Sequence, residues 1–479
     1  MTNSIIFKGF QTKRKNYIYD RHTNSIFSVK DDEYEELRMV HTGQLSEDES
    51  QVIQNYRKKY GVFQKNVVQQ IKHPATDYME HLLRHRMHHL ILQVTQQCNL
   101  RCGYCIFGGG YKHARTHSAK RMDFATAKKA IDFFLEHSSE RGDLHIGFYG
   151  GEPLLEFDLM KQCVHYAEAA VEGKTIHFGM TTNGTLLTPE VTQFLDDHDF
   201  HFSISLDGSK EEHDANRKFR SGQGSFDLIM DNVRRIRRNH PRLNANISFM
   251  TTINPKADLC CVMEFFSTDT VFSDSRIVFN SVDQKDIKEK SQYSESFFLL
   301  RKYEYLKVLF MHIGKIKSDC ISPMALDSTV GRADMYRRLG EHSILQPICH
   351  PGGPCLPGIK RLFVNTSGRL YPCEKVNENL DYFCIGSLDT GVDLEQAKEL
   401  INCGKVTEEE CKQCWNLPNC KICSNQVDFG EEKTLCAKDK MIQCKKDQNR
   451  VLSDLREICV LREFGYTAPQ VGLGYLDEI

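Results

Sequence analysis

Residues 91–105, ILQVTQQCNLRCGYC, join a short run rich in aliphatic residues to three cysteines separated by three and then two residues. The apolar run reads as a buried strand, and Cys98, Cys102 and Cys105 lie in the loop that leaves it. Three thiolates in one loop suit a polynuclear cluster: a [4Fe-4S] cluster has four irons to ligate, so three cysteines leave one of them with an open position. A zinc site, or an electron-transfer cluster completed by a distant cysteine, fits the same three residues.

Working outward, the same strand-like signal recurs at LHIGFYG (144–150), IHFGMTT (176–182), FHFSISLDG (200–208), NISFMTTI (246–253) and RIVFNSV (276–282). Between these runs lie segments of helical period such as ATAKKAIDFFLEH (125–137), EVTQFLDDH (190–198) and FDLIMDNVRRIRRN (226–239). Repeated strand-helix units predict an α/β chain with a parallel sheet. Six strands fall short of a closed eight-stranded barrel, and such sheets carry their sites beyond the carboxyl ends of the strands. A long helical stretch follows over 292–316, after which glycine, proline and cysteine loops dominate, so a domain boundary is expected near residue 340.

Composition narrows the class. The chain has 479 residues with 40% hydrophobic content, enough for two or three domains, and a formal net charge of -2 that gives no electrostatic reason to expect nucleic acid or an anionic membrane. No apolar run approaches a membrane span and the polar beginning lacks a signal-peptide core, so a cytoplasmic location is expected. In a reducing compartment the 19 cysteines are better read as metal ligands than as disulfides. Cys163, Cys260, Cys261, Cys320 and Cys459 stand apart from any pattern and read as ordinary buried or surface thiols.

The spacing of Cys98, Cys102 and Cys105, with the aromatic Tyr104 before the last, resembles the signature of the radical S-adenosylmethionine (SAM) superfamily. Further segments match in order: Gly150-Gly151-Glu152-Pro153 after the second strand, Thr182 and Asn183 in TTNGT, Ser205 and Asp207 in SLDG, and Arg217 in DANRKFRSGQGSF. The resemblance implies that all of these, with Tyr104, contact the cofactor, and that Arg217 lies near its carboxylate. Bare backbone at Gly150 and Gly151 has its own rationale, since a ligand approaches closely only where no Cβ intrudes. The implied chemistry is one-electron cleavage of SAM on the open iron, giving a 5′-deoxyadenosyl radical that abstracts a substrate hydrogen. The implied fold is a partial (β/α)6 barrel.

A second cysteine group follows: Cys349-x5-Cys355-x12-Gly368-x4-Cys373, then Cys411-x2-Cys414-x5-Cys420-x2-Cys423, then Cys436 and Cys444. Only five residues separate Cys414 from Cys420, fewer than zinc ribbons place between their knuckles, although zinc remains an alternative. This arrangement resembles the SPASM extension of radical enzymes that modify peptides. Carried over, it implies that Cys349, Cys355, Cys373 and Cys423 hold one auxiliary cluster. Cys411, Cys414, Cys420 and Cys436 would hold a second, with Cys444 as the alternative last ligand. Three [4Fe-4S] clusters and SAM are therefore the expected cofactors.

Residues 1–87 contain no cysteine and read as strands SIIFKGF, NYIYD and SIFSV followed by helices. That order resembles the winged-helix-like element with which peptide maturases bind a leader; a mere structural brace is the plainer reading. The expected domains are thus 1–87 for leader recognition, 88–340 for the partial barrel, 341–450 for the SPASM region and 451–479 as a C-terminal tail. The whole is similar to maturases that form thioether crosslinks in ribosomally made, Cys-rich precursors. The partners so implied are a leader-bearing precursor peptide and a reductant such as flavodoxin or ferredoxin. Sulfatase-maturing oxidation of a Cys or Ser, and carbon-carbon crosslinking, are alternatives within the same architecture. No residue announces itself as a catalytic acid or base.

Overall fold

The computed structural model describes residues 4–327, 339, 345–431 and 433–466. Its framework is an eight-stranded sheet. Six strands, β5 (His89–Thr95), β6 (Asp143–Gly150), β7 (Thr175–Thr182), β8 (His201–Ser205), β9 (Ile247–Ile253) and β10 (Arg276–Ser281), lie side by side in chain order and all parallel. Leu90, Ile91, Leu92, Gln93, Val94 and Thr95 are all buried, as a strand covered on both faces requires. The crossover helices start where the sequence supplies a cap. Asp123 accepts from the amide of Thr126, and Thr188, followed by Pro189, accepts from Val191. The helix Phe226–Asn239 turns Ile229, Met230, Val233 and Ile236 into the core, the spacing of one helical face.

Two strands of the cysteine-rich region, β12 (Leu362–Val364) and β13 (Leu370–Tyr371), extend this sheet. β12 runs parallel to β5 and β13 antiparallel to β12, so the region after residue 345 shares its core with the barrel. Cys373 follows β13, which β12 separates from β5, the strand that leads to Cys98.

At the N-terminus β1 (Phe7–Gln11), β2 (Asn16–Asp20) and β3 (Ser25–Val29) form an antiparallel sheet in that order. The helices Asp31–His41 and Gln51–Tyr60 follow. One face packs on those helices through Ile18, Phe27, Leu37 and Ile53. The other packs Phe10, Tyr17, Tyr19 and Ile26 against Val451, Leu455 and Ile458 of the helix Ala437–Glu463. The stretch expected as a tail from 451 thus continues this 27-residue helix to Glu463, and residues 467–479 of that expectation lie outside the described residues, as does the boundary at 340. A short pairing of β4 (Gln70–Ile71) with β11 (Ile348–Cys349) ties the linker before the barrel to the start of the cysteine-rich region.

Candidate active site

The loop after β5 is shaped by backbone contacts to its neighbours. The amide of Gly151 donates to Thr95 O at 3.1 Å and that of Glu152 to Gln97 O at 2.9 Å, while Arg101 and Gly103 donate to Lys218 O and Asn216 O at 2.7 and 3.1 Å. A Cβ on Gly150 would stand 2.2 Å from Thr95 O, and one on Gly151 would stand 2.1 Å from Gln97 O and 2.9 Å from Cys98 N. What the missing side chains admit is the backbone of the cysteine loop itself, and any larger residue would push Cys98 out of place.

Cys98, Cys102 and Cys105 line one cavity of about 210 Å³, together with Gly150, Gly151, Thr182, Asn183, Ser205 and Arg217. Burial pushes the Cys98 thiol up to about 12 and Cys102 up to about 11, and raises Cys105 as well. Bare thiolates are therefore disfavoured here, and a bound metal reverses this by deprotonating its thiol ligands. Three thiols, an amide, a hydroxyl, a guanidinium and exposed glycine backbone form a donor set that fits a [4Fe-4S] cluster with an amino-acid-bearing ligand on its open side.

Around this wall three of the sequence-derived residues, Glu152, Pro153 and Asp207, do not line the cavity. Glu152 is fully buried, and its carboxylate accepts from Thr182 Oγ1 at 2.7 Å, Asn183 N at 2.7 Å and Leu154 N at 3.1 Å. It locks the end of β6 to the end of β7. Desolvation raises it to about 7, partly offset by those hydrogen bonds. Asp207 accepts from Arg217 Nε at 2.9 Å, from Thr252 N at 3.0 Å and from the Tyr104 hydroxyl, so it orients both the aromatic and the arginine of the cavity wall. Pro153 is buried at the start of a short turn. Asn183 Nδ2 donates to Asn99 Oδ1 at 2.8 Å and lies 3.9 Å from Cys98 Sγ.

Sequence reading missed Asn99, His117 and Tyr149. Asn99 is bonded to both Asn183 and Thr185. His117 Nε2 lies 3.9 Å from Cys105 Sγ on the cavity wall, and burial lowers it to about 4. Tyr149 is shared between this cavity and an adjoining one. Asn99 sits inside the cysteine motif, so its position offered a signal; His117 follows no local spacing.

In the C-terminal region the thiols expected as ligands gather in two neighbourhoods, and the buried Cys403 has neighbours in both, Cys423 and Cys411. Cys423 has Cys355 and Cys373 as electrostatic neighbours. Gly353 makes this possible, since its Cβ would stand 2.3 Å from Ile422 O. Cys411, Cys414, Cys420 and Cys444 form the other group: Cys444 has Cys411 and Cys414 as neighbours, and Cys420 has Cys414 and Cys444. Cys349, expected with the first set, packs beside Cys411 with Val68, Ile71 and Leu417. Cys436, preferred over Cys444 in the sequence reading, caps the helix Ala437–Glu463 and donates to Asp439 Oδ2 at 3.0 Å. The N-terminal sheet reaches this second group, for Arg21 Nη1 donates to Lys412 O at 2.7 Å and Cys414 O at 3.3 Å.

Among the described residues no helix is long and apolar enough to cross a membrane. Comparison with known proteins agrees with the cavity. Residues 92–259 match the radical SAM superfamily. An uncharacterized protein of Methanocaldococcus jannaschii is 37% identical over 139 residues, 29% of this chain and 45% of that one. The cysteine-type anaerobic sulfatase-maturating enzyme of Clostridium novyi is 26% identical over 37% of this chain and 47% of its own. The chain therefore spans about half the length of these relatives. The corresponding enzyme of Clostridium perfringens is 24% identical over 72% of this chain and 91% of its own. The structure of native anSMEcpe with bound AdoMet and Kp18Cys peptide superposes with a TM-score of 0.57 at 20% identity, covering 78% of this chain and 99% of that one. The match over residues 92–259 thus coincides with the three cysteines, the glycine pair and the parallel sheet, in a chain similar to anaerobic sulfatase-maturating enzymes.

Proposed function

We propose that this chain matures a ribosomally made, leader-bearing, Cys-rich peptide by joining a cysteine sulfur to a carbon of another residue. The observation that carries the reading is one of position. The cavity walled by Cys98, Cys102 and Cys105 adjoins a second cavity, with Ile106, Phe107 and Tyr149 common to both, and the second is also lined by Glu374 and Lys375, which follow Cys373 in the chain. A peptide residue held there is reached from the radical site on one side and from an auxiliary thiol group on the other.

A [4Fe-4S] cluster on Cys98, Cys102 and Cys105 would supply, with SAM bound, the 5′-deoxyadenosyl radical. The chain's own residues do the rest. Asn183, Ser205 and Arg217 hold the cofactor's polar end, Asp207 fixes Arg217, and Tyr149 and Phe107 exclude water from the reacting carbon. Thioether formation removes two hydrogens from the peptide: one leaves as an atom to the radical, giving 5′-deoxyadenosine, and the other as the thiol proton plus one electron. That electron needs an acceptor, a role suited to an auxiliary cluster on Cys355, Cys373 and Cys423. We assign Cys444 as last ligand of the other auxiliary cluster, beside Cys411, Cys414 and Cys420.

The N-terminal unit suits leader binding. Among the described residues β3 pairs only with β2, leaving an edge on which an extended peptide can add a strand. Beside it runs a groove of about 490 Å³ lined by Ser28, Val29, Tyr56 and Tyr60. Its charged residues Lys15, Lys30, Glu33 and Lys59 favour an acidic leader.

Anaerobically reconstituted enzyme, given a flavodoxin or ferredoxin reductant, SAM and a Cys-rich precursor encoded beside its gene, should release 5′-deoxyadenosine. The peptide should become lighter by two hydrogens per crosslink, with one fewer alkylatable thiol each time. Unchanged peptide mass with every neighbouring short reading frame would refute the reading. The likeness to the C. perfringens enzyme over 91% of its length favours a second reading, oxidation of a protein Cys or Ser to an aldehyde. A hydrazide-reactive product without loss of a second side chain's hydrogen would select it.

A further inference from the structure

In the cavity beside the cluster loop, Arg115 is a buried cation with an incomplete set of partners. Its side chain is 6% exposed. The guanidinium lies 3.6 Å from the centroid of the Phe107 ring, and Nε donates to Glu378, which also accepts from Gln93 Nε2 at 2.9 Å. Stacking and this bond fix the plane of the fork, whereas Nη1 and Nη2 have no hydrogen-bond partner among the described residues. Glu374 lines the same cavity. One of its oxygens accepts from Arg361, and the other, Oε2, is buried without a partner.

Buried polar groups in folded proteins are nearly always paired, so two open donors and an open acceptor around one space describe the ligand that fills it. The charges of the cavity cancel, since beside Arg115 and Glu378 three lysines face three further carboxylates. A free carboxylate or an ammonium would upset that balance. A neutral group that both accepts and donates preserves it, and the space of about 60 Å³ suits something small and flat.

We propose that Arg115 and Glu374 bind a main-chain peptide unit of the substrate, the carbonyl oxygen accepting from the Arg115 fork and the adjacent N–H donating to Glu374 Oε2. This rests on the reading of the substrate as a peptide, and deepens it: the residue beside the radical site is held by its backbone, so that its side chain is free to vary. Arg115 and Glu374 are then positioning groups for the reacting residue.

The probe is a fluorescein-labelled, amidated peptide of alanines around one cysteine, together with versions carrying a single backbone N-methyl group at each position in turn. Binding is read by anisotropy on the anaerobic, SAM-loaded holoenzyme. Arg115→Lys keeps a cation against Glu378 but loses the fork, and should weaken binding about tenfold, the size expected for a charge-assisted hydrogen bond. Glu374→Gln should weaken it by a similar factor. One N-methyl position should cost the wild type as much, yet cost the Glu374→Gln enzyme almost nothing further, because both changes delete the same bond. Iron content equal to wild type certifies the variants; should Arg115→Lys lose iron, the Glu374→Gln cycle decides alone. Additive losses at every N-methyl position, or unaltered binding in both variants, overturn the proposal while leaving the peptide reading intact. Failure of the wild type to bind this probe and any Cys-rich precursor overturns both.

Discussion

The two cysteine regions are built on opposite plans. Cys98, Cys102 and Cys105 come from a single loop whose shape is fixed by Gly150, Gly151 and the 216–218 segment, and they face an open cavity. The C-terminal thiols come from a loop, a strand end, a run of short turns and a long helix, and parts of both groups are stitched to the N-terminal sheet and the barrel edge. A catalytic cluster needs a free iron and therefore few ligands in a wall with room beside it. The C-terminal thiols come from segments far apart in the chain, so a metal centre held by them would fasten those segments together.

That contrast predicts different failures. Cys102→Ala should abolish 5′-deoxyadenosine formation, a loss of more than about 1,000-fold given that the radical chemistry belongs to the cofactor. On the proposed three-cluster reading it should remove about four of about twelve irons, because each [4Fe-4S] cluster would stand on its own ligands. Thermal unfolding should shift little, since the loop is held by backbone bonds that the substitution leaves in place. Equal loss of stability and activity would erase the distinction between the regions.

Cys444→Ala should cost about as much iron but act on stability first. The helix Ala437–Glu463 carries both Cys444 and the face that packs against Phe10, Tyr17, Tyr19 and Ile26, so releasing it loosens the N-terminal sheet too. Cys436→Ala is the matched control, expected to retain its iron and lose only the thiol contact to Asp439. Iron analysis with limited proteolysis of residues 1–60 reads both; iron loss confined to Cys436→Ala would reverse the assignment.

The same contrast explains what could be read from the sequence. The parallel strand-helix units and the first cysteine loop were legible because they depend on local period and spacing, and three thiols lie within eight residues. The choice between Cys436 and Cys444 was not, since it is set by where a helix begins. Cys436 at its cap and Cys444 two turns on face different surroundings, and spacing from Cys423 carries no trace of that. Nor did any pattern foretell that β12 would pair with β5, or that Arg21 would reach the carbonyls of Lys412 and Cys414. The roles of Glu152 and Asp207 were half legible: motif position pointed to the site, but only packing shows Glu152 turned from the cavity onto Thr182 and Asn183.

Glu152 offers the finest test of how tightly the first region is held. Its folded-state value of about 7 is raised above the ordinary 4.5, chiefly by desolvation. The native state therefore binds more protons than the unfolded chain between these values. Stability from this group is fully present below pH 4.5, falls as pH rises through the window, and above 7 is lower by an amount on the order of 3 kcal/mol. Glu152→Gln cannot titrate, and its amide nitrogen must face a donor, either the backbone N–H of Asn183 or that of Leu154, costing about 1–3 kcal/mol. The variant should thus melt below wild type at pH 5, with the gap closing toward pH 7.5. Other raised carboxyls such as Glu457 contribute equally to both proteins, so the difference between the two melting curves isolates position 152. A gap independent of pH would mean that the carboxylate is already ionised in the folded protein, held by its three donors against burial, and that the end of β6 is fastened by a charge.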